Sequence, residues 1–328
     1  MKAIIVQKDQ AGQPLVWQEA PDPAYAAAEV LVNIHATALN RADLMQRVGN
    51  YAPPPGASDI MGLEMAGVIT AVGAKVTGWK VGDRVCALLP GGGYAERVNV
   101  PHQMLMRIPE AWSYEQAAAV PEVFYTAYVN MFMEAGLQTG ETVLIHGGAS
   151  GVGTAGIQLG REAGCRVFVT AGADDKLARC TELGAELAIN YKQEDFAERI
   201  QAYTDGEGVD VILDIVGAPY FERNVQLLKL RGRLVFVSTL GGGQAEIDIR
   251  TLMRRRLRLI GSVLRSRSLE EKTEIKDRFL AQFWPLLEGG IIQPIIDSVY
   301  PIEQTNEAHE HMRNNKNTGK IILKVREG

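Results

Sequence analysis

The sequence contains few cysteines: three among 328 residues, at Cys86, Cys165 and Cys180. No two of them form a Cys-x-x-Cys pair. Small secreted domains that depend on disulfides carry cysteine at a much higher density. This scarcity excludes a disulfide scaffold and the common zinc modules that are built on closely spaced cysteines.

Long apolar runs and a strong excess of one charge are also missing. No apolar stretch reaches the ~18 residues that a membrane span requires, and the N-terminus lacks the apolar segment and cleavage site of a signal peptide. Lys and Arg number 34 against 39 Asp and Glu, a formal net charge of -5. Phosphate backbones are bound by an excess of Lys and Arg, so nucleic acid is disfavoured as a partner. We expect a cytoplasmic protein without a membrane partner.

What is present is a change of pattern along the chain. Up to about residue 122, short β patterns at 30–36, 66–72 and 84–88 alternate with glycine and proline turns, which predicts a β-rich unit. From 123 to 264, apolar strands alternate with helical segments. The strands are predicted at 142–146, 166–170, 187–191, 209–216 and 233–238. This alternation is typical of an α/β fold with a doubly wound parallel sheet. A charged helix and a last strand at 320–325 then follow.

A glycine-rich segment from Gly147 to Gly153 joins the strand at 142–146 to a helical segment. Glycines let the backbone approach a pyrophosphate, and the helix N-terminus offers N–H groups to it, so this order is typical of a dinucleotide site. Ser150 replaces the middle glycine of the G-x-G-x-x-G pattern, which keeps an ordinary tight turn open as the alternative. Ser150 does not fit a G-x-S-x-G nucleophile either, because Val152 stands in place of the last glycine.

The end of the second strand bears on the choice of dinucleotide. NAD sites place an acid there to bind the ribose 2′-hydroxyl, whereas this sequence has Ala171 followed by Gly172. Gly172 leaves room for a 2′-phosphate and Lys176 brings a positive charge, which favours NADPH. Asp174 and Asp175 are evidence against NADPH, unless they begin the next helix, where acidic side chains interact favourably with the helix dipole. Taken alone, a lysine such as Lys176 is more often a solvated surface residue.

No metal site is predicted from the histidines. The five are His35, His102, His146, His309 and His311. None of them stands at zinc-ligand spacing from a cysteine. His309 and His311 lie two residues apart and point in different directions on a helix. A packed or capping role is predicted for His146.

Several motifs in order resemble the medium-chain dehydrogenase/reductase superfamily, in particular its zinc-free, zeta-crystallin-like NADPH:quinone oxidoreductases. They are 38–47, Tyr51 to Gly56, Gly62-Leu63-Glu64, His146 to Gly153, Asn190-Tyr191-Lys192, Leu264 to Arg267 and Asn314 to Lys320. The match spans nearly the whole chain and looks closest to the p53-inducible quinone oxidoreductase type. It implies a GroES-like catalytic domain, 1–122 completed by 265–328, and a Rossmann NADP-binding domain, 123–264.

The resemblance also explains a missing metal. Zinc-dependent members of the superfamily have a Cys near Asn40 and a His at Leu63, beside Glu64, and four further cysteines that are absent here. Without a Lewis acid a simple carbonyl is hard to polarise. A quinone or enone needs mainly alignment with the nicotinamide and hydrogen bonds to its oxygen. Glu64 is interpreted as a structural residue.

Site residues follow by resemblance only. Asn40 and Tyr51 are expected to line the nicotinamide end of the site and to act in catalysis, although Tyr51 could instead anchor its rigid loop. The remaining cofactor-binding residues are Ser150, Gly151, Val152 and Gly153 at the phosphates and nicotinamide, Gly172, Lys176 and Tyr191 at the 2′-phosphate, and Asn317 from the C-terminal side. No general acid is evident, so water could protonate the product.

A basic run, Arg254 to Leu264, is interpreted as the solvated face of an edge strand. In relatives this strand pairs with its twin across a two-fold axis, which implies a homodimer through about 257–264.

Three functions stay open at this point. The first is NADPH-dependent reduction of quinones, and the second is reduction of the C=C bond of enones or 2-alkenals, which shares every feature above. The third is a non-catalytic NADPH-binding protein with a structural or RNA-associated role.

Overall fold

The computed structural model describes residues 1–326, which divide into two units. The β-rich unit contains Met1–Tyr125 and the segment from Arg265 onward, and the α/β unit contains Thr126–Leu264. The sequence places the first boundary at 122/123 and the structure at 125/126. Among the described residues, no helix is long and apolar enough to cross a membrane.

The first part of the β-rich unit is formed mainly by strands. Its elements are β1 (Lys2–Val6), β2 (Leu15–Glu19), β3 (Glu29–Ala38), α1 (Arg41–Arg47), β4 (Glu64–Val72), β5 (Arg84–Leu88), β6 (Arg97–Pro101), β7 (Met106–Arg107), α2 (Tyr114–Ala118) and α3 (Pro121–Tyr128), which ends in the α/β unit. Short 3₁₀ turns at His102–Met104 and, later, Ile302–Gln304 complete this unit.

The α/β unit alternates strands with helices, as the apolar runs predict. After a π-helical segment at Val129–Glu134 come β8 (Thr142–His146), α4 (Gly151–Glu162), β9 (Arg166–Ala171), α5 (Asp174–Leu183), β10 (Leu187–Asn190), α6 (Phe196–Tyr203), β11 (Val209–Asp214), α7 (Ala218–Leu227), β12 (Leu228–Phe236), α8 (Ile249–Arg255) and β13 (Arg258–Gly261). The six strands are parallel in the order β10-β9-β8-β11-β12-β13. The order reverses beside β8, so this is a doubly wound sheet, and its ligands are expected at the carboxyl ends of the strands.

The chain then returns to the β-rich unit. It adds α9 (Leu269–Glu288), β14 (Ile296–Pro301), α10 (Thr305–Arg313) and β15 (Lys320–Lys324). The main sheet has the order β14-β15-β3-β4-β5-β7, with β6 also paired to β3, and only β14 and β15 are parallel. Because β15 pairs with β3, the last described strand completes the sheet that the first third of the sequence begins.

Each unit has its own apolar core. In the β-rich unit it includes Ile4, Leu39, Tyr94, Ile302 and Ile321. In the α/β unit it includes Leu144, Phe168, Ile189, Phe196 and Ile212.

The basic run at 254–264 is not one strand, which corrects the interpretation from the sequence. Arg254 and Arg255 end α8, and only Arg258–Gly261 is a strand. Asp248 begins the helix, its carboxylate accepting from the Arg250 N–H at 3.0 Å. Arginines in the last turn suit the negative end of the helix dipole.

Several strand limits in the α/β unit also differ from those predicted, most of all for the strands predicted at 209–216 and 233–238. The apolar run at 209–216 leaves the sheet after Asp214, because the Asp214 carboxylate accepts from the Val216 N–H at 2.7 Å and turns the chain. The next strand begins at Leu228 rather than 233, since Val209 already pairs with Leu228.

Candidate functional site

In the α/β unit, the glycine segment forms the turn between β8 and α4. Ser150 is the N-cap of α4, and its hydroxyl accepts from the Gly153 N–H at 3.0 Å. A Cβ on Gly153 would lie 2.4 Å from the carbonyl oxygens of Gly147 and Gly148. Only glycine therefore fits at position 153, and the helix begins directly against the turn.

The first turn of α4 presents backbone N–H groups at this end of the sheet. Gly151 and Val152 are half-buried and lie in that turn, where amides have no carbonyl partner within the helix. The positive end of the helix dipole adds to them. Such an N-terminus suits the pyrophosphate of a dinucleotide.

The carboxyl end of β9 has no acidic side chain at the position that NAD sites use. The strand ends at Ala171, and Asp174 and Asp175 open α5. Asp174 is already engaged, because the side-chain amide of Asn190 donates to its carboxylate at 2.7 Å.

Gly172 forms a small cradle beside this strand end. A Cβ at Gly172 would lie 2.8 Å from the Tyr191 hydroxyl and 3.0 Å from Cε of Lys192. Tyr191 directly follows β10, and Lys176 lies in the first turn of α5, half-buried. The structure thus brings Gly172 and Tyr191 together. It also places Lys192 beside them, a residue of the Asn190-Tyr191-Lys192 motif to which the sequence analysis gives no site role. Its position next to Tyr191, just beyond the end of β10, is the sequence feature that could have indicated a place in the site.

Behind the strand ends lies a buried polar network. His146 contacts the Thr170 hydroxyl at 3.0 Å through Nδ1 and the side-chain oxygen of Asn224 at 2.8 Å through Nε2. Asn224 in turn donates to the Asp214 carboxylate at 3.2 Å. Because the Asn224 amide nitrogen faces Asp214, its side-chain oxygen faces His146 and accepts a hydrogen bond from Nε2–H. The proton of the neutral ring is then on Nε2, and Nδ1 accepts from the Thr170 hydroxyl. Burial lowers the pKa of His146 to about 4, which matches a neutral ring.

This network also supports Tyr191. The His146 ring packs edge-on against Tyr220 at 4.8 Å between ring centroids, and Tyr220 packs edge-on against Tyr191 at 6.3 Å. The packed role predicted for His146 is what the structure shows.

In the β-rich unit, the Asn40 side chain is held from both sides. Its Nδ2 donates to Glu64 at 2.8 Å, and the Lys320 ammonium donates to its Oδ1 at 2.7 Å. Lys320 also donates to Glu64 and to the Leu39 carbonyl, both at 2.7 Å. Glu64 and Lys320 are 0% and 2% exposed. The Glu64–Lys320 ion pair therefore fixes the orientation of the Asn40 amide, with Nδ2 toward Glu64 and Oδ1 toward Lys320. The sequence missed Lys320, because nothing local connects it with Glu64.

The second carboxylate of this region is Asp43, on α1. It accepts from the Asn40 N–H at 2.8 Å and from the Tyr94 hydroxyl at 3.0 Å. Burial raises the pKa of Asp43 to about 6, although both hydrogen bonds favour its charged form. The Tyr94 hydroxyl also lies 3.4 Å from Nε2 of His309, whose pKa burial lowers to about 3.

Tyr51 lies just after α1, at the start of the proline-rich loop. Burial raises the pKa of its hydroxyl, Glu122 adds to this, and Arg265 opposes it. The hydroxyl is therefore protonated near neutral pH and able to donate. The Arg265 guanidinium lies over the Tyr51 ring, 5.1 Å from its centroid.

Asn317 lies between α10 and β15, and its side-chain amide donates to the Gly319 carbonyl at 2.8 Å. It is three residues before Lys320. Asn40, Tyr51 and Asn317 thus belong to the β-rich unit, whereas the Ser150 to Gly153 turn and the Gly172 cradle belong to the α/β unit.

The fold and these groups define an oxidoreductase of the dinucleotide-binding α/β class. Residues 26–110 match the alcohol dehydrogenase GroES-like domain family, and residues 151–280 match the zinc-binding dehydrogenase family. The human quinone oxidoreductase is 32% identical over 90% of this chain and 88% of its own length. The chain belongs to the medium-chain dehydrogenase/reductase superfamily, in its zeta-crystallin-like quinone oxidoreductase family.

Solved structures with this fold span several activities. The Escherichia coli quinone oxidoreductase complexed with NADPH is 28% identical, with a TM-score of 0.87 over 99% of this chain and 100% of that one. The CurK enoyl reductase is 27% identical with a TM-score of 0.88, covering 99% of both chains. An NAD-dependent alcohol dehydrogenase is 29% identical with a TM-score of 0.86, covering 99% and 100%.

The residues present do not fit the zinc that one family description names. The Lys320 ammonium already lies 2.7 Å from the side-chain oxygens of Asn40 and Glu64. Leu63 beside them is apolar, and Asn40 offers an amide in place of a thiolate. Among residues 1–326, no group of three or more His, Cys, Asp or Glu side chains could hold a metal ion.

Proposed function

We propose that the protein is an NADPH-dependent reductase of quinones. The observation that carries this is the Asn40–Glu64–Lys320 cluster, in which the Lys320 ammonium binds the side-chain oxygens of Asn40 and Glu64, so that these side chains do not form a metal site. Reduction then suits an acceptor that is already conjugated, because its oxygen needs only hydrogen-bond stabilisation as charge develops. The human and Escherichia coli relatives, both quinone oxidoreductases, support this choice.

The proposed cofactor is NADPH rather than NADH. Ala171 and Gly172 leave the end of β9 without a carboxylate, while Lys176, Tyr191 and Lys192 supply two cations and a hydroxyl. These groups fit a 2′-phosphate, and an acid at the strand end would repel one. The amides of Gly151 and Val152, together with the Ser150 turn and Gly153, fit the pyrophosphate.

In the proposed reaction, NADPH when bound supplies the hydride that reduces the acceptor. The Tyr51 hydroxyl donates a hydrogen bond to the acceptor oxygen and stabilises the negative charge that develops there. The Asn40 amide, fixed by Glu64 and Lys320, positions the reacting end of the site. Asn317, in the loop before β15, contributes to binding of the cofactor. Water supplies the proton that completes the product.

A second candidate is reduction of the C=C bond of enones or 2-alkenals. The likeness to the CurK enoyl reductase favours it, and it uses the same donors. The two reactions differ in the atom that receives the hydride and in whether the α-carbon is protonated.

Steady-state kinetics test the proposal. NADPH and NADH oxidation would be followed with 1,4-naphthoquinone, 9,10-phenanthrenequinone and 2-alkenals, at protein concentrations far below those of the substrates. Turnover with NADPH and quinones is the expected result. Activity confined to alkenals would replace the first candidate by the second, and no turnover would favour the third, non-catalytic function.

The proposal also includes a cytoplasmic homodimer. Strand β13 is an outer strand of the six-stranded sheet, and Val263, two residues beyond its end, is an exposed apolar residue. An outer strand with apolar surface beside it suits pairing with a second copy. Light scattering of the purified protein would test it, and a monomer at micromolar concentration would contradict it.

A further inference from the structure

One nearly buried cation in the β-rich unit has no part in the reaction proposed above. Arg265 is 6% exposed, although an arginine is seldom buried without partners. Burial lowers the pKa of its guanidinium, and Tyr51, Asp43 and Glu122 oppose this. The cost of burying this charge requires compensating contacts, and the structure shows where they are.

The Arg265 guanidinium contacts three separate parts of the chain. Its Nε donates to the Pro90 carbonyl at 2.8 Å, and one terminal nitrogen donates to the side-chain oxygen of Gln46 at 2.8 Å. Its central carbon, Cζ, lies over the Tyr51 ring, 5.1 Å from the ring centroid. A planar group with five donors can hold partners in its plane while stacking on a ring, which the point charge of a lysine cannot do.

Arg265 itself is anchored from α9. The Lys272 ammonium donates to the Arg265 carbonyl at 2.7 Å, and burial lowers the pKa of Lys272. The backbone of Arg265 is thus held on one side while its guanidinium holds the loop on the other.

The loop that Arg265 contacts is stiff. It contains three consecutive prolines, 53–55, and the Ala57 N–H donates to the Pro54 carbonyl at 3.0 Å. Because the loop is stiff, a contact at Tyr51 sets the orientation of the ring and of its hydroxyl. Without the guanidinium, the ring would lose its cover and the loop its links to Gln46 and Pro90.

We propose that Arg265 is the positioning residue of the Tyr51 loop, fixing the ring so that its hydroxyl is presented to the acceptor in one direction. The inference rests on the proposed role of Tyr51 in acceptor binding. Arg265 acts through Tyr51 and does not itself need to touch the acceptor.

The first test is independent of turnover. Hydrogen–deuterium exchange would be measured on peptides covering residues 48–60 in the wild type, Arg265→Gln and Arg278→Gln. Arg278 is the matched control, because it is an exposed arginine on α9 whose ion pair is with Glu274, four residues away. Exchange in the loop should rise about tenfold in Arg265→Gln, as expected for the loss of charge-assisted contacts, and stay unchanged in Arg278→Gln. Unchanged exchange in Arg265→Gln would overturn the inference.

The second test asks whether Arg265 works through the hydroxyl. Arg265→Gln should lower kcat/KM for the quinone about tenfold or more, with Arg265→Lys recovering only part of it. Tyr51→Phe keeps the ring and removes the hydroxyl, so adding Arg265→Gln to it should cost less than about twofold more. An undiminished loss in the Tyr51→Phe background would refute positioning. If Tyr51→Phe alone retains full activity, the proposed role of Tyr51 fails, and the exchange experiment still decides whether Arg265 holds the loop.

Discussion

The ion pair between Glu64 and Lys320 allows the sharpest prediction about stability. Lys320→Met keeps the length and apolar stem of the side chain but removes the ammonium, which donates three hydrogen bonds of 2.7 Å. The Glu64 carboxylate would then be buried without its counter-ion. Its remaining donors are Asn40 Nδ2 at 2.8 Å and the Glu122 N–H at 2.9 Å.

The expected magnitude follows from the burial of both groups. Removing one partner of a buried pair costs about 3–5 kcal/mol, because the other charge stays buried and uncompensated. At about 2–4 °C per kcal/mol for a unit of this size, the midpoint of thermal unfolding should fall by about 6–20 °C. Replacing both groups, as Glu64→Gln with Lys320→Met, should cost at least 1 kcal/mol less than the sum of the single changes, since no unpaired charge is left.

Thermal and urea unfolding of the purified variants would measure these effects. Lys316→Met is the matched control, an exposed lysine four residues earlier, and should change the free energy of unfolding by less than about 0.5 kcal/mol. A loss below about 1 kcal/mol for Lys320→Met, or simple additivity in the double variant, would show that the pair does not behave as a buried ion pair.

Three further predictions concern the cofactor groups and a buried acid. Lys176→Ala and Lys192→Ala should each weaken NADPH binding about 10–100-fold in fluorescence titrations and leave NADH binding nearly unchanged, because only NADPH carries the 2′-phosphate; equal losses for both would contradict the assignment. Gly153→Ala should weaken binding of either dinucleotide and lower the free energy of unfolding by about 1–3 kcal/mol, since its Cβ would lie 2.4 Å from two carbonyl oxygens. Normal binding and stability would show that the backbone of the turn can shift to make room for the Cβ. The folded-state pKa of Asp43, about 6, exceeds the ~3.9 of an unfolded Asp, so its proton stabilises the fold at low pH and this contribution is lost as pH rises through 6. The free energy of unfolding of the wild type relative to Asp43→Asn should therefore fall by about 2 kcal/mol between pH 4 and 6.5 in urea titrations, and a difference independent of pH would refute it.

Much of the nucleotide side could be predicted from sequence because its signals are local. The strand at 142–146 has the same limits in the structure, and the glycine turn and helix follow within a few residues. Strand, turn and helix each depend on residues that are neighbours along the chain, so their sequence pattern predicts them without knowledge of the tertiary fold. The assignment of individual residues to NADPH stays a prediction.

Local pattern failed where a capping residue competed with it. Alternating charge and apolarity at 254–264 suggested one strand, whereas Asp248 begins a helix that runs to Arg255. The apolar run at 209–216 likewise continues past the strand, because the buried Asp214 carboxylate turns the chain through the Val216 N–H. In both cases one side-chain hydrogen bond to the backbone overrode the periodicity.

The sequence by itself determined the α/β alternation, the glycine turn before α4 and the family to which the chain belongs. Only the tertiary structure decided what surrounds Asn40 and Tyr51. Lys320 lies 256 positions from Glu64, and Arg265 lies 214 positions from Tyr51. A lone lysine or arginine carries no sequence signal of its partner, because the pairing depends on β15 adding to β3 and on the chain re-entering the β-rich unit at Arg265.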